Sequence, residues 1–229
     1  MNIARHPSMR IQKLTIGREN APLLVIDNVV ADPEELVQDA VSKKYAPPQS
    51  YYPGLRAKAP LSYQVFLVGE LRALLCDYFE LEASSLRFSM CHYSVVTTPP
   101  AQLTALQRIP HVDSHEARGL ASIHYLFKAD LGGTAFYRHR ATGFEYVDEA
   151  RRSTYYPILE QELSGPSAPG PDYIHADTEL FEQVGAQAGV FNRMLIYRRN
   201  SLHSGAPTRG VPLPADPASG RLSINSFLA

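Results

Sequence analysis

The pattern of apolar and polar positions in the first third of the chain predicts one short strand and two helices. Leu23–Ile26 is a continuous apolar run of strand length. Asp32 precedes a proline and two glutamates, a pattern typical of a helix N-terminus, and Glu35 stands at capping-box spacing from it. A second amphipathic helix is expected over residues 70–79. Residues 1–85 are therefore predicted to form a helical support region.

From Leu86 onward the pattern changes to short runs of β-branched and aromatic residues that Gly and Pro separate, which is typical of strands. Strands are expected at 86–95, 121–127, 134–138, 143–147, 193–198 and 221–227. Two stretches rich in Pro and Gly, 46–54 and 161–173, predict loops. In the first, we interpret Tyr51 and Tyr52 as packing residues. The expected fold class is α+β, mainly β, with helices on one face of a barrel or sandwich.

Length, charge and cysteine content narrow the classes of function. A chain of 229 residues with 45% hydrophobic content can bury the core of one domain, so 1–229 is predicted to be a single domain. The net charge of −1 provides no positive field for a phosphate backbone, so nucleic acid is an unfavourable partner. The sequence contains no apolar run of about 20 residues, and charges interrupt the first ten residues, so we expect a cytoplasmic protein without a membrane span. Cys76 and Cys91 form no CxxC pair and are interpreted as buried thiols in a reducing compartment.

Two histidines and one aspartate are candidate metal ligands. In an extended segment, His111 and Asp113 point to the same side and can bind one ion together. His203 follows an apolar strand far along the chain, and a closed β-barrel can bring such distant strand ends together. Two imidazoles and one carboxylate form the facial triad of non-haem Fe(II) oxygenases, whereas structural zinc prefers four protein ligands.

The last predicted strand carries a candidate anion-binding residue. Alternation places Arg221, Ser223 and Asn225 on one face, with Leu222 and Ile224 on the other. A buried guanidinium needs an anion to offset its desolvation. The distal carboxylate of 2-oxoglutarate would provide that anion, with the Ser223 hydroxyl adding a hydrogen bond.

These motifs, in this order and with Gly132–Phe136 (GGTAF) between them, resemble the Fe(II)/2-oxoglutarate-dependent dioxygenase superfamily. The GGTAF stretch looks like a segment of its prolyl-hydroxylase-like branch, and longer runs look like an uncharacterised bacterial subfamily. The resemblance implies a double-stranded β-helix (jelly-roll) core over 86–228, with amino-terminal helices packed on one face. It also implies Fe(II) on the three candidate ligands, 2-oxoglutarate on Arg221, O2 as oxidant, and a cosubstrate contact from Tyr93.

Two features bear on the substrate. Asp113 stands where halogenases of this superfamily have a small residue, so its presence favours hydroxylation. The stretch 144–189 is longer than a compact barrel requires and is interpreted as an insertion that covers the substrate. An amino acid, a peptide or another small molecule all remain candidate substrates.

Each feature also has an explanation that involves no metal or cosubstrate. His111 and Asp113 could be a surface pair, His203 a core histidine, and Arg221 an ordinary ion pair. The whole chain could be a non-catalytic, cupin-like barrel that binds a ligand or metal, or an enzyme that uses another metal and no cosubstrate. Structural roles are also the simplest explanation for a further set of residues, with a substrate contact as the alternative for some of them: His115, His124, His139, Arg138 and Arg140.

Overall fold

The structure is a computed structural model that describes residues 1–48, 51–82 and 86–228. Its strands are β1 (Arg10–Ile16), β2 (Ala21–Asp27), β3 (Gly54–Lys58), β4 (Phe88–Val96), β5 (Leu120–Tyr125), β6 (Gly133–His139), β7 (Phe181–Ala188), β8 (Arg193–Arg198), β9 (His203–Ala206) and β10 (Arg221–Leu228). Its α-helices are α1 (Pro33–Val41), α2 (Leu61–Tyr78) and α3 (Arg152–Leu163). Within these described ranges, none of the helices has the length and apolarity needed to cross a bilayer.

Two antiparallel sheets form the centre of the molecule. The larger sheet has the order β1-β2-β8-β5-β10-β4-β3, and the smaller has the order β7-β6-β9. The sheets pack against each other through aromatic side chains, as where the Phe136 ring of β6 meets the Tyr197 ring of β8 edge-on at 5.1 Å. This arrangement confirms the predicted mainly β, α+β fold class.

The helices α1 and α2 cover the outer face of the larger sheet. Leu36 of α1 and Leu71 of α2 are buried in one apolar cluster with Leu24, Leu222 and Ile224 of the sheet. Because side chains alternate along each strand, the opposite face of the same strands is left to face the smaller sheet. The central strands are thus covered on both sides, and the prediction that helices pack on one face is confirmed.

Local sequence signals account for the helix ends. At α1, the Glu35 backbone N–H donates to the Asp32 carboxylate at 3.3 Å, as the N-cap pattern predicted. Helix α2 begins at Leu61, directly after Pro60, nine residues before the expected start. Helix α3 was not predicted, and its last residues replace the start of the loop expected at 161–173.

Some expected boundaries need correction. Residues 143–147 form no strand, because Gly143 adopts a positive φ of 73° in a turn and only an isolated bridge joins Tyr146 to Ser201. The region 1–85 is not only helical, since β1, β2 and β3 add three strands to the larger sheet. Two predicted regions include residues outside the described ranges. These are residues 49–50 in the predicted loop 46–54 and residues 83–85 in the predicted region 1–85. Part of the expected insertion 144–189 belongs to the smaller sheet, because β7 pairs with β6.

Candidate metal centre and cavity

The three predicted metal ligands come together in space although 90 residues separate Asp113 from His203. The segment before β5 runs beside the start of β9, where His111 and His203 exchange two backbone hydrogen bonds of 2.9 and 3.0 Å. The Asp113 backbone N–H donates to the Arg199 carbonyl at 2.8 Å and so holds the next turn of this segment in place. Backbone pairing therefore brings the two imidazoles side by side, with ring centroids 4.5 Å apart.

The donor atoms of this triad have the spacing of a metal site. One donor atom from each of the three side chains lies within 4.8 Å of the others. His111 Nε2 is 3.8 Å from one Asp113 oxygen, and His203 Nε2 is 3.5 Å from the other. His203 Nδ1 lies 3.0 Å from the Ser201 carbonyl, which fixes the proton on Nδ1 and leaves Nε2 free as a ligand.

The electrostatic surroundings favour the ligand form of His111. Burial, and next the neighbouring His203, lower the pKa of His111 to about 4, so its imidazole is neutral near pH 7. The His111 side chain keeps half of its surface accessible and lines a cavity. Two imidazoles and a carboxylate with an open side fit Fe(II) or a similar divalent ion, and they leave positions for further ligands.

The triad lies in the wall of a cavity of about 470 Å³ between the two sheets. Aromatic and aliphatic side chains form much of the lining: Tyr51, Tyr52, Val96, Leu106, Ile109, Val112, Tyr155, Tyr156, Leu159, Tyr173, Tyr197 and Phe227. Arg56 and Arg221 are the two cationic side chains that the described lining contains. The volume suits a cosubstrate together with part of a small substrate.

Arg221 is buried in this cavity with 4% of its surface exposed. Its Nε donates to the Leu131 carbonyl at 3.1 Å, and one terminal nitrogen, Nη2, donates to the Gly133 carbonyl at 2.6 Å. Main-chain carbonyls thus fix the guanidinium through Nε and Nη2. Across the described part of the chain, the ion pairs within 4.0 Å include none with Arg221, so an anionic ligand would complete its environment.

The remaining predicted residues of β10 also occupy the cavity side. Ser223 and Asn225 line the cavity with Arg221, and the Ser223 hydroxyl donates to the Asn225 side-chain oxygen at 2.7 Å. The predicted alternation is confirmed, since Leu222 and Ile224 lie in the helix-covered core.

The structure does not bring Tyr93 to the site, which corrects the expectation of a cosubstrate contact. Tyr93 pairs with Ile224 across the β4–β10 ladder. Paired residues of antiparallel strands share a face, so Tyr93 points toward the helices and away from Arg221. Its hydroxyl donates to the Asp39 carboxylate of α1 at 3.0 Å.

Several cavity residues were missed by sequence reasoning. Tyr51 and Tyr52 line the cavity instead of serving only in packing. Arg56 lies on β3, which is five residues long and gave no strand pattern of its own. Tyr155 and Tyr156 belong to the unpredicted α3, so the stretch interpreted as an insertion does supply part of the cavity wall.

The five histidines and arginines for which the sequence favoured structural roles have protein partners. His124 contacts the Tyr63 hydroxyl at 3.0 Å and Asn192 at 3.1 Å inside the protein. Further partners are Tyr156 for His115, Glu162 for His139, Glu145 and Glu182 for Arg138, and Asp177 for Arg140. Arg138 is buried and pairs with both glutamates, which is a structural role.

Comparison with solved structures identifies chains of the same fold. HygX from Streptomyces hygroscopicus, solved with nickel and 2-oxoglutarate bound, is similar with a TM-score of 0.51 and 13% identity, over 92% of this chain and 84% of HygX. SnoK, a non-haem alpha-ketoglutarate-dependent carbocyclase from nogalamycin biosynthesis, is similar with a TM-score of 0.50 and 12% identity, over 92% of this chain and 80% of SnoK. At these identities the similarity shows a shared fold.

Sequence comparison gives a family without an assigned activity. Among proteins of curated function, none matches this sequence. A family model described as a family of unknown function, DUF6445, matches residues 7–228, which is nearly the whole chain. The chain therefore belongs to the DUF6445 family.

Proposed function

We propose that this protein is an Fe(II)- and 2-oxoglutarate-dependent oxygenase that hydroxylates an amino acid, a peptide or another small molecule. One observation carries the proposal: His111, Asp113 and His203 converge within 4.8 Å in the wall of the cavity that also holds the buried Arg221. The triad is suited to a divalent metal, and the guanidinium is suited to a carboxylate.

Within the mainly β, α+β class, the two-sheet architecture supports the assignment of the core as a double-stranded β-helix. Chains that share the fold include HygX, whose structure contains nickel and 2-oxoglutarate. The GGTAF segment starts β6, and a Cβ atom at Gly133 would collide with the Gln187 carbonyl of β7. A glycine is thus required where the strands approach, which gives a physical reason for part of the proposed similarity to the prolyl-hydroxylase-like branch.

Each residue of the site has a defined task in the proposed reaction. When bound, Fe(II) with 2-oxoglutarate and O2 supplies an oxidation coupled to decarboxylation of 2-oxoglutarate to succinate and carbon dioxide. His203, oriented by the Ser201 carbonyl, and His111 offer imidazole nitrogens, and Asp113 offers a carboxylate. Arg221 binds the distal carboxylate of the cosubstrate, and the apolar walls exclude water.

The α3 region is proposed to form one wall over the substrate. Tyr155, Tyr156 and Leu159 of this helix line the cavity. His115 lies 2.9 Å from the Tyr156 hydroxyl and ties the loop after Asp113 to the helix. A small molecule or a peptide side chain that entered here would meet mostly apolar and aromatic surface.

A spectroscopic experiment tests the metal and cosubstrate assignment. Fe(II) and 2-oxoglutarate, added without oxygen, should produce a visible charge-transfer band in the native protein. The band should be absent in His111→Ala and in Asp113→Ala. Tyr93→Phe is a matched control, because Tyr93 faces the helices, and it should keep the band. A native protein without a band at saturating ligand would refute the proposal.

A further inference from the structure

Arg56 is a second arginine on the cavity side of the larger sheet. In the register of β3, β4 and β10, Arg56 pairs with Ser94, and Ser94 pairs with Ser223. Paired residues share a face, so Arg56 points to the same side as Ser223 and Arg221. Two strand spacings separate Arg56 from Ser223, a distance of roughly 10 Å between backbones. The two arginines thus enter the cavity from different strands, Arg56 from β3 and Arg221 from β10.

The guanidinium of Arg56 is held in place but lacks an anion. It stacks on the Tyr52 ring at 4.3 Å, and Nη1 donates to the Met90 sulfur at 3.3 Å, which is a weak acceptor. Its Nε is buried without a hydrogen-bond partner. The ion pairs of the described residues include none with Arg56, whereas the buried Arg138 has two glutamates.

Arg56 lines the same cavity as the triad. The described lining contains Arg56 together with His111, Asp113 and His203. An anion bound at Arg56 would therefore lie in the cavity in which oxidation is proposed.

The neighbouring walls indicate what the rest of such a molecule is like. Apolar side chains dominate the lining beside the triad and under α3: Leu106, Ile109, Val112, Tyr156 and Leu159. With Arg221 assigned to 2-oxoglutarate, one cation remains for the substrate. One guanidinium matches a single carboxylate, and the walls match an apolar body.

We infer that Arg56 binds the carboxylate of the primary substrate, and that this substrate is a small amphipathic acid with an apolar body. This inference rests on the proposed function and adds the substrate class and a residue that determines specificity. The Tyr52 ring packs against this guanidinium, with its centroid 4.3 Å from the central carbon, and so helps to position it.

Calorimetry with a matched pair of probes tests the inference. The protein is loaded with Ni(II) and 2-oxoglutarate, which prevents turnover, and is titrated with 3-phenylpropanoate or with the neutral 3-phenylpropanamide. A charge-assisted pair contributes roughly 1.5–3 kcal/mol, so the acid should bind about 10- to 150-fold more tightly than the amide. Arg56→Gln should abolish this preference, and Arg56→Lys should retain part of it.

A charge-matched control and a separate titration make the outcome decisive. Lys58→Gln removes a cation from the exposed end of the same strand and should keep the preference for the acid. Equal binding of acid and amide by the native protein, no binding of either at millimolar concentration, or an unchanged preference in Arg56→Gln would overturn the inference. Loss of 2-oxoglutarate binding in Arg56→Gln would also overturn it, because Arg56 would then hold the cosubstrate. If the native protein binds neither Ni(II) nor 2-oxoglutarate, the proposed function itself fails.

Discussion

Replacing Arg221 by Gln isolates the contribution of one buried charge to cosubstrate binding. The native guanidinium is 4% exposed and is fixed by the carbonyls of Leu131 and Gly133. Its orientation is therefore already determined before a ligand arrives, so binding requires little further ordering of the side chain. Gln keeps a polar side chain but removes the charge and the fork of N–H donors.

The size of the effect follows from the type of bond that is lost. A hydrogen bond to a charged group contributes roughly 1.5–3 kcal/mol, which corresponds to a 10- to 150-fold weaker Kd. At about 100 times Kd, 2-oxoglutarate adds roughly 2.7 kcal/mol to the stability of the native protein. For a chain of this size, that raises the Tm by about 5–10 °C. A 50-fold weaker Kd leaves roughly 0.6 kcal/mol, or about 1–3 °C.

Thermal unfolding of Ni(II)-loaded protein, with and without 2-oxoglutarate, measures this difference. The Tm shift should be large in the native protein, small in Arg221→Gln and intermediate in Arg221→Lys, whose ammonium keeps the charge without the fork. Arg140→Gln is a control that removes an exposed, Asp177-paired charge outside the cavity. A full shift in Arg221→Gln would refute the assignment of the cosubstrate carboxylate to this residue.

Two further predictions concern stability away from the site. Burial lowers the pKa of His124 from 6.5 to about 4, so the unfolded chain binds the extra proton and stability falls as the pH drops from about 6.5 to 4. Chemical denaturation should show that His124→Gln loses about 2 kcal/mol less than the native protein between about pH 7 and 5, and equal losses would contradict this. Asp32→Ala removes the N-cap of α1 and should cost about 1 kcal/mol, while Asp32→Asn should restore most of it in the same assay.

The sequence predicted the three residues of the triad and the cavity face of β10 from the spacing of His111 and Asp113, the histidine that follows an apolar strand, and the alternation along the last strand. Alternation along β10 correctly separated Arg221 from Leu222, since the apolar Leu222 and Ile224 alternate with the polar Arg221, Ser223 and Asn225. Tyr93 could not be placed in the same way. Nearly every residue near the end of β4 is buried, on both faces of the sheet, so its pattern does not show which side faces the cavity.

Arg56 was missed for a different reason. β3 contains only five residues and owes its conformation to pairing with β4, which is a tertiary interaction. The strand expected at 143–147 is the opposite case, a predicted strand that is absent from the structure. Its composition favours a strand, but Gly143 turns the chain before a ladder can form. Elements that depend on long-range pairing or on a single turn residue thus mark the limit of the sequence prediction.

The strand β10 links the stability of the fold to the geometry of the site. Its Leu222 and Ile224 are fully buried against the helices, so their packing fixes the register of the strand. A slip of one residue would place Arg221 in the helix-covered core and an apolar side chain in the cavity. The burial of two aliphatic side chains on one face therefore holds the guanidinium on the other face, opposite Val96 and beside the carbonyls that orient it. Because the same strand lies between β4 and β5, a loss of core packing there should displace Arg221 from the cavity wall.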